Sequence, residues 1–123
     1  KTMGEQKNLT QDDVLDLMRN FEIQPLFNKV VITLNREEKD GSLILSDNTL
    51  SEIQYVLARG SMVKEVEVGQ KIIIDIEKMM VPVKRESLDA YEAVMQVKID
   101  PIKIGGNIYA IIEDRYIKAK DNR

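Results

Sequence analysis

The 123-residue chain contains no cysteine, no histidine and no tryptophan. Without cysteine there is no disulfide framework, no thiol nucleophile and no thiolate metal site. Without histidine, Ser-His-Asp and Cys-His catalysis are excluded, together with the usual transition-metal ligand sets. Aromatic residues make up only 5%, which leaves few platforms for stacking bases. Eighteen basic residues against twenty-one acidic ones give a net charge of −3. That balance offers no electrostatic reason to bind nucleic acid or an anionic membrane. No apolar run approaches the roughly 18 residues of a membrane span, and no charged-then-apolar leader opens the chain, so neither a span nor a secretory signal is expected. A cytoplasmic setting fits this composition. What survives is a single-domain binding or assembly module with no cofactor, no metal site and no catalytic residues.

Near the N-terminus a helix start is written plainly. Thr10-Gln11-Asp12-Asp13 places a hydroxyl N-cap three residues before a carboxylate. Val14, Leu17, Met18 and Phe21 follow at i, i+3, i+4 and i+7, one face of a helix over residues 11–20. A helix this short is marginal alone, so the stripe must dock, either on the chain's own sheet or on a neighbouring subunit or partner. The division expected is a helical extension over residues 1–22 and a β domain over 23–123.

After Pro25 the vocabulary becomes that of strands. Val30-Val31-Ile32-Thr33-Leu34 is β-branched. Ile53, Tyr55 and Leu57 alternate with Gln54 and Val56. Val66-Glu67-Val68-Gly69-Gln70 reads as a short strand and turn ahead of the apolar run from Lys71 to Ile76. Met79 to Val83, Ala93 to Ile99, Ile108 to Ile112 and Tyr116 to Ala119 are further strands, with Asp100-Pro101 and Gly105-Gly106-Asn107 as turns. Many short strands spaced by turns predict a small barrel or sandwich. Residues 35–42 read as an exposed polar loop, within a connection running to residue 52 and interrupted by Leu43-Ile44-Leu45. A structureless connection of that length is usually functional.

Five segments, in order, resemble the co-chaperonin family typified by bacterial GroES. Ile23-Gln24-Pro25-Leu26-Phe27-Asn28-Lys29-Val30-Val31-Ile32 is similar to its opening strand, and Gly41-Ser42-Leu43-Ile44-Leu45 to its mobile-loop motif. Gln54 to Gly60, Val66 to Ile74 and Ile108 to Ile117 resemble the strands that follow. The resemblance implies a mainly β, GroES-like Greek-key barrel assembled as a homo-oligomer, a heptameric ring, that caps a GroEL-like chaperonin to assist protein folding. Leu43, Ile44 and Leu45 would be the partner-binding residues, entering an apolar groove on the chaperonin's apical domains. Three buried aliphatic side chains yield roughly 5–8 kcal/mol gross, less the ordering of the loop. One loop would bind weakly, and several on one ring tightly. The other reading of the triplet, a short strand facing its own core, stays open.

The departures are specific. Only residues 61–65 separate Arg59-Gly60 from Val66, so the hairpin that roofs the family's dome is missing. Residues 79–104 exceed the family's length and allow an extra hairpin. These features resemble the co-chaperonins of large bacteriophages, which would act in the host cytoplasm. The alternative is a virion structural protein on the same barrel, docked on phage capsid or portal proteins through Val14, Leu17, Met18 and Phe21. Asp12-Asp13-Asp16 and Glu37-Glu38 read as solvated faces rather than catalytic carboxylates.

Overall fold

The computed structural model describes residues 8–39, 42–43, 50–85 and 92–123. Helix α1 (Gln11–Arg19) starts at the capping box that the sequence encodes. The Thr10 hydroxyl accepts from the Asp13 N–H at 3.3 Å, and the Asp13 carboxylate accepts from the Thr10 N–H at 3.0 Å. Asp12 and Asp13 occupy the first turn and Arg19 the last, the arrangement the helix dipole favours.

Ten strands follow among the described residues: β1 (Lys29–Ile32), β2 (Glu38–Lys39), β3 (Ser42–Leu43), β4 (Ile53–Arg59), β5 (Lys71–Ile74), β6 (Met80–Arg85), β7 (Glu92–Val97), β8 (Asp100–Ile104), β9 (Asn107–Glu113) and β10 (Ile117–Lys120). Six form one sheet in the order β10-β5-β4-β1-β9-β8, all antiparallel, while β2-β3 and β6-β7 are separate two-stranded ladders. The chain is thus mainly β, with one α-helix among the described residues, and β6 and β7 pair as an antiparallel ladder within residues 79–104. The closed barrel is not formed by the described strands, because no ladder joins β8 to β10.

Both faces of the six-stranded sheet are covered. On one, Val30, Ile32, Val56, Ile72, Ile74, Ala110 and Ile112 pack with Val63, Val66 and Met79. On the other, Val31, Leu57, Ala58 and Tyr109 pack beneath Val14, with Leu9, Leu17, Phe21 and Ile23 around them. The register between β1 and β4 slips between Val31 and Ile32. Leu57 and Ala58 consequently both join the helix-side cluster, the local effect of a bulge.

Three expectations are corrected. Residues 66–70 form no strand. Val66 is buried, but Gly69 turns at φ 89° beneath α1, where the Met18 sulfur would stand 3.0 Å from a Cβ. Asp100-Pro101 is part of β8 instead of a turn. The two-residue turn Gly105-Gly106, with φ of 57° and 88°, has the type I′ signature and closes the Ile104–Asn107 pair. Counting the alternation of an antiparallel ladder from that turn puts Pro101, opposite Ala110, in a non-hydrogen-bonded position. Its ring nitrogen therefore points away from β9, toward the sheet's margin, where a missing N–H costs no ladder bond. The third correction concerns residues 35–42. Asn35 is 8% exposed, and β2 pairs with β3 through Glu38–Leu43 and Lys39–Ser42, so this stretch is in part a β-ribbon.

Candidate functional site

The ribbon leaves the sheet between its adjacent strands β1 and β4, and its root is tied by a buried polar network. Gln54, completely buried, is the hub. Its Oε1 accepts from the Thr33 hydroxyl and the Asn35 N–H, both at 2.7 Å. Its Nε2 donates to the carbonyls of Asn35 (2.9 Å) and Ser51 (2.8 Å). Thr33 closes a further pair, its N–H donating to the Tyr55 carbonyl while its hydroxyl accepts from the Tyr55 N–H at 3.0 Å. The Ser51 N–H donates to the Asn35 carbonyl, and Arg36 bridges Leu50 one step farther out. Among the described residues no buried side-chain polar atom lacks a hydrogen bond. The sequence places Gln54 in alternation with Ile53 and Tyr55, and in the structure the Gln54-Val56 side is the fully buried one. Composition carries no signal for this, because a glutamine in a strand ordinarily marks the wet face.

Beyond Arg36 the backbone of Leu43 lies opposite Glu38 in the ribbon. Ile44 and Leu45 lie outside the described residues. A groove of about 270 Å³ at the ribbon's root is lined by Leu34, Arg36, Leu50, Gln96, Val97 and Ile99, which brings the root beside the end of the β6-β7 hairpin.

The helix stripe faces the chain's own sheet, one of the two alternatives open in the sequence. Val14 is fully buried, and Leu17 and Phe21 pack on the same cluster. The Phe21 ring meets Tyr109 edge-on at 5.6 Å and 83°. Met18 lies over Gly69, whose carbonyl accepts from Gln11 Nε2 at 2.7 Å.

Sequence reasoning missed an exposed apolar surface. Leu26 and Phe27 are each 62% exposed and Met62 is 59% exposed. Phe27 has φ 57°, a conformation non-glycine residues seldom adopt. It is fixed by the Met62 N–H donating to its carbonyl at 2.9 Å and by Gly60 beneath, where a Cβ would stand 2.2 Å from the Phe27 oxygen. A groove of about 470 Å³ lined by Gln24, Arg59, Ser61, Lys64 and Glu67, among others, adjoins it.

Charged groups do structural work elsewhere. Lys29 donates to Glu113, and Arg115 pairs with it at 2.6 Å. Together they hold the Glu113 carboxyl below its ordinary range. Arg123 donates twice from its side chain and once from its backbone to Asp121, whose carboxyl is held far below the usual range as a result. The Asp121 N–H donates to the Lys71 carbonyl, so the C-terminal end is tied to β5. No group of three or more acidic side chains placed to hold a metal occurs among the described residues, and no helix among them is long and apolar enough to cross a membrane. In comparisons with known proteins, no family model and no curated protein matches the chain.

Proposed function

We propose that the chain is a non-enzymatic, co-chaperonin-like ring subunit that caps a GroEL-like chaperonin through the ribbon bearing Leu43-Ile44-Leu45. The observation that carries this reading is the construction of the ribbon's root. A dispensable surface loop has no use for a completely buried glutamine with all its donors and acceptors engaged, since such a group is costly wherever a bond is missed. Here Gln54, Thr33 and Asn35 fix the point at which the ribbon leaves the sheet, and in the sequence its second strand runs into three consecutive aliphatic residues between polar flanks.

Further support comes from placement. The five segments that resemble the co-chaperonins fall on β1, the ribbon, β4, the approach to β5, and β9-β10. The strandless connection between β4 and β5 and the β6-β7 hairpin suit the roofless form resembling phage-encoded members, acting in the host cytoplasm as a heptamer. The alternative, a capsid or portal-vertex protein held by its helix, draws no support, because Val14, Leu17 and Phe21 are engaged with the chain's own sheet.

The test is an ATP-dependent chaperonin pull-down combined with native mass measurement. The wild-type chain is expected to be captured as a ring, and Ile44→Asp to keep the ring but lose capture, because a charge would enter an apolar groove. Capture unaffected by Ile44→Asp, or no capture of the wild-type ring, would refute the capping role.

A further inference from the structure

We propose that Asn8 and Asn35 are positioning residues, a two-amide clamp through which the N-terminal segment holds the root of the β2-β3 ribbon and couples the ribbon's order to the docking of α1. Each asparagine side chain stands in for a strand backbone. Asn35 Nδ2 donates to the Leu9 carbonyl and its Oδ1 accepts from the Leu9 N–H, both at 2.9 Å. In the reciprocal rung, Asn8 Nδ2 donates to the Arg36 carbonyl at 2.8 Å and its Oδ1 accepts from the Arg36 N–H at 2.9 Å. The four bonds join residues 26 to 28 positions apart in sequence. A carboxamide is the side chain that can both donate and accept in the way a peptide group does.

The two rungs lie between two other fixed points. On one side, Asn35 is held by its own backbone to Gln54. On the other, Leu9 is followed at once by Thr10, the N-cap of α1, and Leu9 itself packs into the cluster with Val14 and Phe21. Arg36 is the residue at which the ribbon begins, bridged to Leu50. Lifting the N-terminal segment would remove both hydrogen bonds to the Arg36 peptide groups, while the Gln54–Asn35 bonds and the bridge to Leu50 stay in place. The ribbon's opening is thereby a local event set by residues far from its tip, of the kind that separates from global unfolding. The use of the ribbon to bind a partner rests on the function proposed above; the clamp itself is a property of the chain alone.

Hydrogen exchange on the full-length chain tests it without any partner. Asn8→Ala is the informative variant, because Asn8 is half-buried and water can replace its bonds without unfolding the sheet. Exchange of the Arg36, β2 and β3 amides is expected to rise about tenfold or more on loss of the two bonds, with β1 and β9 amides unchanged. Unchanged ribbon exchange in Asn8→Ala, or a rise shared equally by β1 and β9, would overturn the clamp. Failure of wild-type chaperonin capture would overturn the capping role and leave this result standing.

Discussion

Replacing Gln54 by methionine nearly conserves volume and so isolates the polar contribution of the ribbon's root. Four hydrogen bonds disappear, to the Thr33 hydroxyl, the Asn35 N–H and the carbonyls of Asn35 and Ser51. They do not weigh equally. The Asn35 carbonyl still accepts from the Ser51 N–H, whereas the completely buried Thr33 hydroxyl keeps the bond it accepts from Tyr55 but loses the acceptor of its own O–H. Ser51 is half-buried, so its carbonyl can turn to water. The Asn35 N–H belongs to a residue only 8% exposed and keeps nothing. An unsatisfied buried donor costs about 1–3 kcal/mol, and the lost bonds that find substitutes about 0.5 kcal/mol or more each. With two such donors, the Asn35 N–H and the Thr33 O–H, the expected destabilisation is about 3–7 kcal/mol, a large part of the 5–15 kcal/mol typical of a domain. With a urea slope of about 2 kcal/mol/M, the midpoint falls by about 1.5–3.5 M at constant slope. Gln54→Glu should be worse, since a carboxylate oxygen would then face the Asn35 and Ser51 carbonyls. A Gln54→Met midpoint within about 0.3 M of wild type, roughly 0.6 kcal/mol, would show that the network does not hold the root and would remove the main support for the capping role.

Gly60→Ala should cost about 1–3 kcal/mol or more, because its Cβ would meet main-chain atoms of Leu26 and Phe27 rather than a side chain that can move. At about 4 °C per kcal/mol, thermal unfolding should fall well below that of Gly106→Ala, where a Cβ meets nothing and only the φ of 88° is strained; equal losses would refute the steric account. Stability should also decline in acid. Glu113 and Asp121 have folded-state pKa values below their unfolded ones, so the unfolded chain binds more protons and their contribution, full above the ordinary carboxylate range, is lost as the pH falls through the depressed values. The Asp121 share goes last. With no histidine to titrate, urea midpoints should be flat around neutrality; a midpoint that does not fall on acidification, or one unaltered by Asp121→Asn, would contradict this.

The helix was legible because its signals are local: a cap, a carboxylate three residues on, and an apolar repeat at helical spacing. The Gly-Gly turn was legible for the same reason. Gln54, Thr33 and Asn35 were not, since a polar side chain looks alike in sequence whether it meets water or a strand-end amide from 19 or 21 residues away. Pro101 misled because a proline reads as a break, and its strand position is permitted only by the hydrogen-bonding phase counted from a turn four residues later. The Leu26-Phe27-Met62 surface was hidden by its discontinuity, joined through Gly60 across 33 residues. Residues 66–70 read as a strand because Val66 and Val68 alternate with polar neighbours, but Gly69 turns at φ 89° against Met18 of α1.

The placement of Pro101 also limits how copies of this molecule can be added to one another. The β8 margin lacks the outward N–H that a residue other than proline would present at position 101, while the same alternation turns the Lys103 N–H outward, so a strand laid against this margin finds one donor fewer and forms a weaker ladder.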